Sequence, residues 1–153
     1  MRVLIAIFLW CGLPVWAQTP DWSRVNAEAM LHLQALIRID TTDPPGNETR
    51  VVEYLKKVLD AEGIPNVVVA KDPARANIIA RLKGNGSKRP LLIMAHSDTV
   101  RVDLSKWTFP PFSATRDGGY VYGRGSLDDK SDLFAALMTM VVLKRRRRRS
   151  TGT

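Results

Sequence analysis

Pro90 to Ala95 reads PLLIMA, a continuous apolar run with polar residues only after its end. This is the pattern of a central strand buried on both faces, and such a strand needs strands at its edges and helices over its faces. The flanking sequence fits that demand. Trp22 to Ile39 carries Val25, Ala29, Leu33, Leu36 and Ile37 at helical spacing, with Asp21 or Ser23 as the start signal. Asp40 to Gly46 (DTTDPPG) predicts a loop, and Asn47 is expected to cap a second helix with Val51, Val52, Leu55, Val58 and Leu59 as its stripe. Asn66 to Ala70 and Asn77 to Leu82 predict strands, and Asp117-Gly118-Gly119 a hairpin turn within 116–122. Asp128 to Leu143 predicts a third helix, with Leu133, Leu137, Met140 and Val141 on one side. The order of elements predicts a layered α/β domain.

Arg2 precedes an apolar stretch, Val3 to Leu13, of 11 residues. A membrane-spanning helix needs about 20. A charged start, a short apolar centre and Val15-Trp16-Ala17 predict a secretory signal peptide over 1–17, cleaved after Ala17. The expected localisation is secreted or periplasmic, with no transmembrane segment. Cys11 is the only cysteine and falls in that leader. The mature chain would then bind any metal through His, Asp and Glu alone.

The net charge of +8 comes mostly from one place. Lys144 and Arg145 to Arg149 supply six of the 23 basic residues, and the other 17 face 15 acids. A nucleic-acid-binding fold usually spreads its cations over a face, so this distribution argues against that class. Consecutive arginines repel one another, which predicts a basic tail over 144–153 that is disordered from about Arg146 on. A frameshift or truncated reading frame explains such an ending. The alternative is weak, salt-sensitive polyanion binding through Arg145–Arg149.

Two clusters could carry chemistry. His96-Ser97-Asp98 follows the apolar run directly, at what would be the carboxyl edge of the sheet, where α/β folds place their sites. In extended chain His96 and Asp98 point to the same side. One imidazole nitrogen can ligate a metal while the other needs an acceptor to fix its tautomer, and Asp98 could be that acceptor. The plainer alternative is a strand end whose polar groups bond to nearby backbone. Tyr122 to Lys130 (YGRGSLDDK) holds a tight glycine turn and then Asp128 and Asp129. Asp128 could bridge two cations about 3.5–4 Å apart, or the two acids could simply cap a helix.

The two clusters, together with Ile37-Arg-Ile-Asp-Thr-Thr-Asp-Pro-Pro-Gly-Asn-Glu48 and Trp107…Pro110-Pro-Phe112, occur in an order that resembles the start of the M20-type zinc metallopeptidases. These are carboxypeptidases and aminoacylases akin to acetylornithine deacetylase and succinyl-diaminopimelate desuccinylase. The resemblance covers roughly 30–143. It implies an α-β-α catalytic domain with a mixed sheet flanked by helices, and 18–143 as its N-terminal part. It also implies a two-zinc centre with His96 and Asp128 as metal ligands and Asp98 as the catalytic acid beside the histidine. The implied substrate is a peptide or an N-acyl amino acid, cleaved at an amide.

The same resemblance calls for a Glu-Glu pair, another acidic ligand and a distal histidine. Glu28, Glu48, Glu53 and Glu62 all precede the His96 cluster, and the other histidine, His32, sits in the first helix. His96 and Asp128 alone cannot complete a zinc site of three or four protein ligands. The expected product is an N-terminal fragment that is inactive alone. A non-enzymatic α/β protein with a polyanion-binding tail is the alternative.

Overall fold

A computed structural model describes residues 19–151. The expected leader lies outside them. Helix α1 spans Trp22–Arg38. Asp21 caps it by accepting from the Ser23 and Arg24 amides, which satisfies two of the free donors every helix start exposes. Its stripe buries Leu33, Leu36 and Ile37. Helix α2 spans Thr49–Ala61 and buries Val51, Val52, Leu55 and Leu59. Helix α3, Lys130–Thr151, lies against α1 and adds Leu137, Met138 and Val141. Leu36, Val51, Leu55, Leu59, Ile64, Leu137 and Val141 form the main core cluster.

The strands form two separate antiparallel pairs. Strand β1 (Asn66–Val69) pairs with β2 (Asn77–Ala80), Val67 opposite Ile79. Strand β3 (Thr115–Asp117) pairs with β4 (Tyr120–Tyr122). Gly118 and Gly119 join the second pair with φ of +55° and +86°, the positive values that a two-residue type I′ turn demands. The hairpin expected at Asp117-Gly118-Gly119 is therefore present.

Four expectations need correction. Leu91–Ala95 forms no strand, and among the described residues the sheets are two-stranded and antiparallel rather than one mixed sheet. Leu91, Leu92 and Met94 are 84%, 77% and 79% exposed. The apolar pattern states what the segment needs to be buried by, and no described strand lies beside it. Second, the cap position of α2 is Glu48 rather than Asn47. Asn47 takes a φ of +96°, and the Glu48 carboxylate turns away to Arg75, 2.8 Å distant.

Third, helix α3 continues through 144–151 where a disordered tail is expected, and the last two residues of that tail lie outside the described residues. Fourth, Arg145 is not free for a polyanion. Its guanidinium grips Glu28 at 2.6 and 2.8 Å and Glu62 at 2.6 Å. Lys144 donates to the Gly63 carbonyl, and Arg147 to that of Lys83. Like-charge repulsion within the run is offset because these side chains find acceptors on other elements. Among the described residues no helix is long and apolar enough to cross a membrane.

Candidate active site

The loop after α1 holds the His96 segment in place. The Thr99 amide donates to Thr41 O at 3.0 Å, the Asp43 amide donates to Thr99 O at 2.9 Å, and Thr42 and Thr99 make an isolated parallel bridge. The Thr41 hydroxyl donates to the Ser97 carbonyl. Both threonines are buried, at 0% and 3% exposure. The backbone is thus fixed from Ser97 onward although the run before it has no ladder.

The second wall is the glycine turn before α3. Gly123 lies so close to α1 that a Cβ there would fall 2.3 Å from Ile37 Cγ2. Gly125 has a φ of +83°, and a Cβ would meet Thr99 Cγ2 at 2.8 Å. Glycine at both positions lets the turn close onto the Thr99 segment. Arg124 lies over the Trp107 ring, 5.2 Å from its centroid. The two walls bound a cavity of about 310 Å³ that His96, Asp98, Thr99, Arg124 and Asp128 help to line.

His96, Asp98 and Asp128 meet in the lining of this cavity. Asp98 Oδ1 lies 3.1 Å from His96 Nδ1, and Asp128 Oδ1 lies 3.0 Å from His96 Nε2. The same-side placement expected of His96 and Asp98 is found. Burial opposes the charged imidazole, but the Asp128 hydrogen bond and the Asp98, Asp129 and Asp128 charges outweigh it, and the His96 pKa lies above its ordinary value. The ring is held between two carboxylates, which favour its charged form. The side chains are 50%, 43% and 88% exposed for His96, Asp98 and Asp128, so the site is open to solvent.

Two neighbours carry roles that the sequence reading did not give them. Asp129 and Asp128 were both candidate helix caps, yet both carboxylates reach His96, Asp129 Oδ2 accepting from its backbone N–H at 3.1 Å. Lys130 is completely buried. Its ammonium donates to the carbonyls of Leu36 at 3.0 Å and Ile39 at 2.6 Å. Burial pushes its pKa down to about 8, the Asp40 charge works in the opposite direction, and Arg50 adds to the fall. A readable clue did exist for Lys130. A cation at the first turn of a helix opposes the helix dipole, so it must find its partner elsewhere. It finds the negative carboxyl end of α1.

The donor set fits zinc as far as it goes. One imidazole nitrogen and one carboxylate oxygen are zinc-type donors, and two donors of a tetrahedral zinc lie ~3.3 Å apart given bonds of about 2.0–2.1 Å. The observed 3.0 Å is close to that. Among the described residues no group of three or more His, Cys, Asp or Glu makes a complete cage. The glutamates Glu28 and Glu62 are held by Arg145, and Glu48 by Arg75.

Residues 92–153 match the sequence profile described as Peptidase family M20/M25/M40. A probable succinyl-diaminopimelate desuccinylase of Staphylococcus aureus is 38% identical over 109 residues, 70% of this chain and 26% of that protein. A protein of Staphylococcus epidermidis with the same description is 37% identical over 123 residues, 79% of this chain and 29% of its own. An uncharacterized carboxypeptidase of Schizosaccharomyces pombe is 43% identical over 70 residues, 43% of this chain and 12% of its own. The chain thus spans about a quarter of the length of the desuccinylase relatives it matches.

Proposed function

We propose that the chain, which is similar to peptidase family M20/M25/M40 over 92–153, is part of a zinc-dependent hydrolase cleaving an amide bond in a peptide or an N-acyl amino acid. His96 and Asp128 are the metal ligands in this reading, and Asp98 is the acid that orients the histidine. The observation that carries it is the His96 ring set between Asp98 and Asp128 at 3.1 and 3.0 Å. Zinc, when bound, polarises a carbonyl and lowers the pKa of water. Asp98 accepts a hydrogen bond from Nδ1–H, which fixes the tautomer and leaves the Nε2 lone pair directed to the Asp128 side. Asp128, whose Oδ1 lies beside that nitrogen, would hold the metal with it.

The proposal extends to what these residues leave undone. A hydrolase of this kind needs a carboxylate to take the proton from water. Glu28, Glu48 and Glu62 are committed to arginines. In this reading the base, the remaining ligands and the layered sheet come from sequence outside these 153 residues, and the chain alone is hydrolytically silent. The test is zinc titration of the purified chain by calorimetry, with the His96 ring resonances followed where that ring is present, beside an assay with dipeptides and N-acyl amino acids. His96→Ala and Asp128→Ala are each expected to weaken zinc binding at least about tenfold, and turnover to stay at the buffer rate. Zinc binding unchanged in both variants would overturn the ligand assignment. Chelator-sensitive turnover by the chain alone would overturn the silent reading.

Export belongs to the same proposal. A chain secreted from a bacterial host is expected to start at Gln18. Terminal sequencing that finds Met1 on the exported protein refutes the leader.

A further inference from the structure

We propose that Asp129 is a positioning residue for the candidate metal pair, acting through the backbone of His96. The inference rests on the metal-ligand reading of His96 and Asp128 and adds a device that sets their separation. His96 sits where support for its segment runs out. Ser97 and Thr99 are tied to Thr41–Asp43, whereas Leu91 to Met94 are exposed and carry no ladder. Among the described residues, no sheet neighbour fixes the backbone of a histidine at the end of such a segment.

Asp129 fixes it. Its Oδ2 accepts the His96 amide hydrogen at 3.1 Å, while the adjacent Asp128 takes the ring at 3.0 Å. Two successive carboxylates therefore hold one histidine at its backbone and at its ring tip. With the amide anchored, the ring has a single direction in which to meet Asp128. The anchor itself is rigid. Lys130 follows at once, wholly buried, its ammonium on the carbonyls of Leu36 and Ile39 and its amide on Gly125 O at 3.0 Å. Outer contacts of this kind commonly change metal affinity by about 10–100-fold when removed.

Asparagine at 129 keeps an acceptor oxygen in nearly the same place, and alanine removes it. The experiment compares Asp129→Asn and Asp129→Ala in the full chain by three readouts: His96 amide hydrogen exchange, His96 ring nitrogen shifts and zinc affinity. Asp129→Ala is expected to quicken His96 amide exchange and lower zinc affinity by about tenfold each, with Asp129→Asn recovering most of both. Thermal unfolding is expected to change little, which a merely structural carboxylate would not combine with a local loss at His96. Wild-type exchange and ring shifts in a folded Asp129→Ala variant overturn the proposal, and so does an Asn variant that behaves as Ala. Should Asp129→Ala fail to fold, a through-hydrogen-bond coupling between the His96 amide nitrogen and the Asp129 carboxyl carbon decides the matter in the wild type, and its absence overturns the idea. Zinc failing to bind wild type sinks the metal reading instead, because the amide readouts do not depend on zinc.

Discussion

Lys130→Ala is expected to destabilise the chain by about 2–4 kcal/mol, and Lys130→Met by much less. The balance has three parts. Removing the ammonium recovers the cost of burying it. A pKa pushed down from 10.5 to about 8 puts that cost on the order of 3 kcal/mol at ~1.4 kcal/mol per pKa unit. Against it stand two carbonyls left without their donor, at about 1–3 kcal/mol each. The electrostatic and hydrogen-bond terms nearly offset one another. The stem then decides. Alanine forfeits about three buried methylenes at ~0.8 kcal/mol apiece and leaves a cavity, whereas methionine fills most of that volume. Thermal unfolding of the two variants is the measurement, and a difference of roughly 10 °C between them is expected. Equal melting temperatures would show that the ammonium, not the stem, dominates at this site.

The physical reason for that lysine also explains what was legible in the sequence. The helices were readable because each buries a stripe of its own at 3.6-residue spacing. Leu33, Leu36 and Ile37, then Val51, Val52, Leu55 and Leu59, lie where their spacing put them. The β3–β4 hairpin was readable because Gly118 and Gly119 meet a local backbone demand. The pairing of His96 with Asp98 was readable from extended-chain alternation. The approach of Asp128, 32 residues away, came from resemblance rather than from spacing.

What escaped depends on partners far along the chain. Lys130 reaches back 94 residues to Leu36, and Arg145 reaches 117 back to Glu28. No local pattern encodes such a meeting. Leu91–Ala95 fails for the complementary reason. Its apolar pattern is strong, but a strand is a relation between segments, and the described residues supply no second segment for it.

Arg145 is the case where reading the sequence locally misleads most, and its replacement should show it. Arg145→Met is expected to cost about 2–3 kcal/mol at neutral pH, because one guanidinium joins α1, the end of α2 and α3. It makes a two-point contact with Glu28 at 2.6 and 2.8 Å and a second with Glu62 at 2.6 and 3.1 Å. A charge-assisted pair is worth ~1.5–3 kcal/mol. The pairs add to less than their sum here, since the arginine is 37% exposed and water screens it. Arg145→Lys should recover little, because a single ammonium cannot serve both carboxylates in that fork geometry.

The pH dependence follows from Glu28. The Arg145 hydrogen bond lowers its pKa against the opposing effect of burial, with the Arg145, His32 and Arg24 charges assisting. A carboxyl whose folded pKa lies below its unfolded value adds stability that is complete above the unfolded value, ~4.3–4.5, and is lost as pH falls through the folded one. Wild type should therefore lose stability on acidification below about pH 4.5 more steeply than Arg145→Met. Urea unfolding at pH 7 and at pH 3 measures both effects. A variant with wild-type stability at pH 7 and a wild-type acid profile would return the arginines to the solvated tail that their composition suggests.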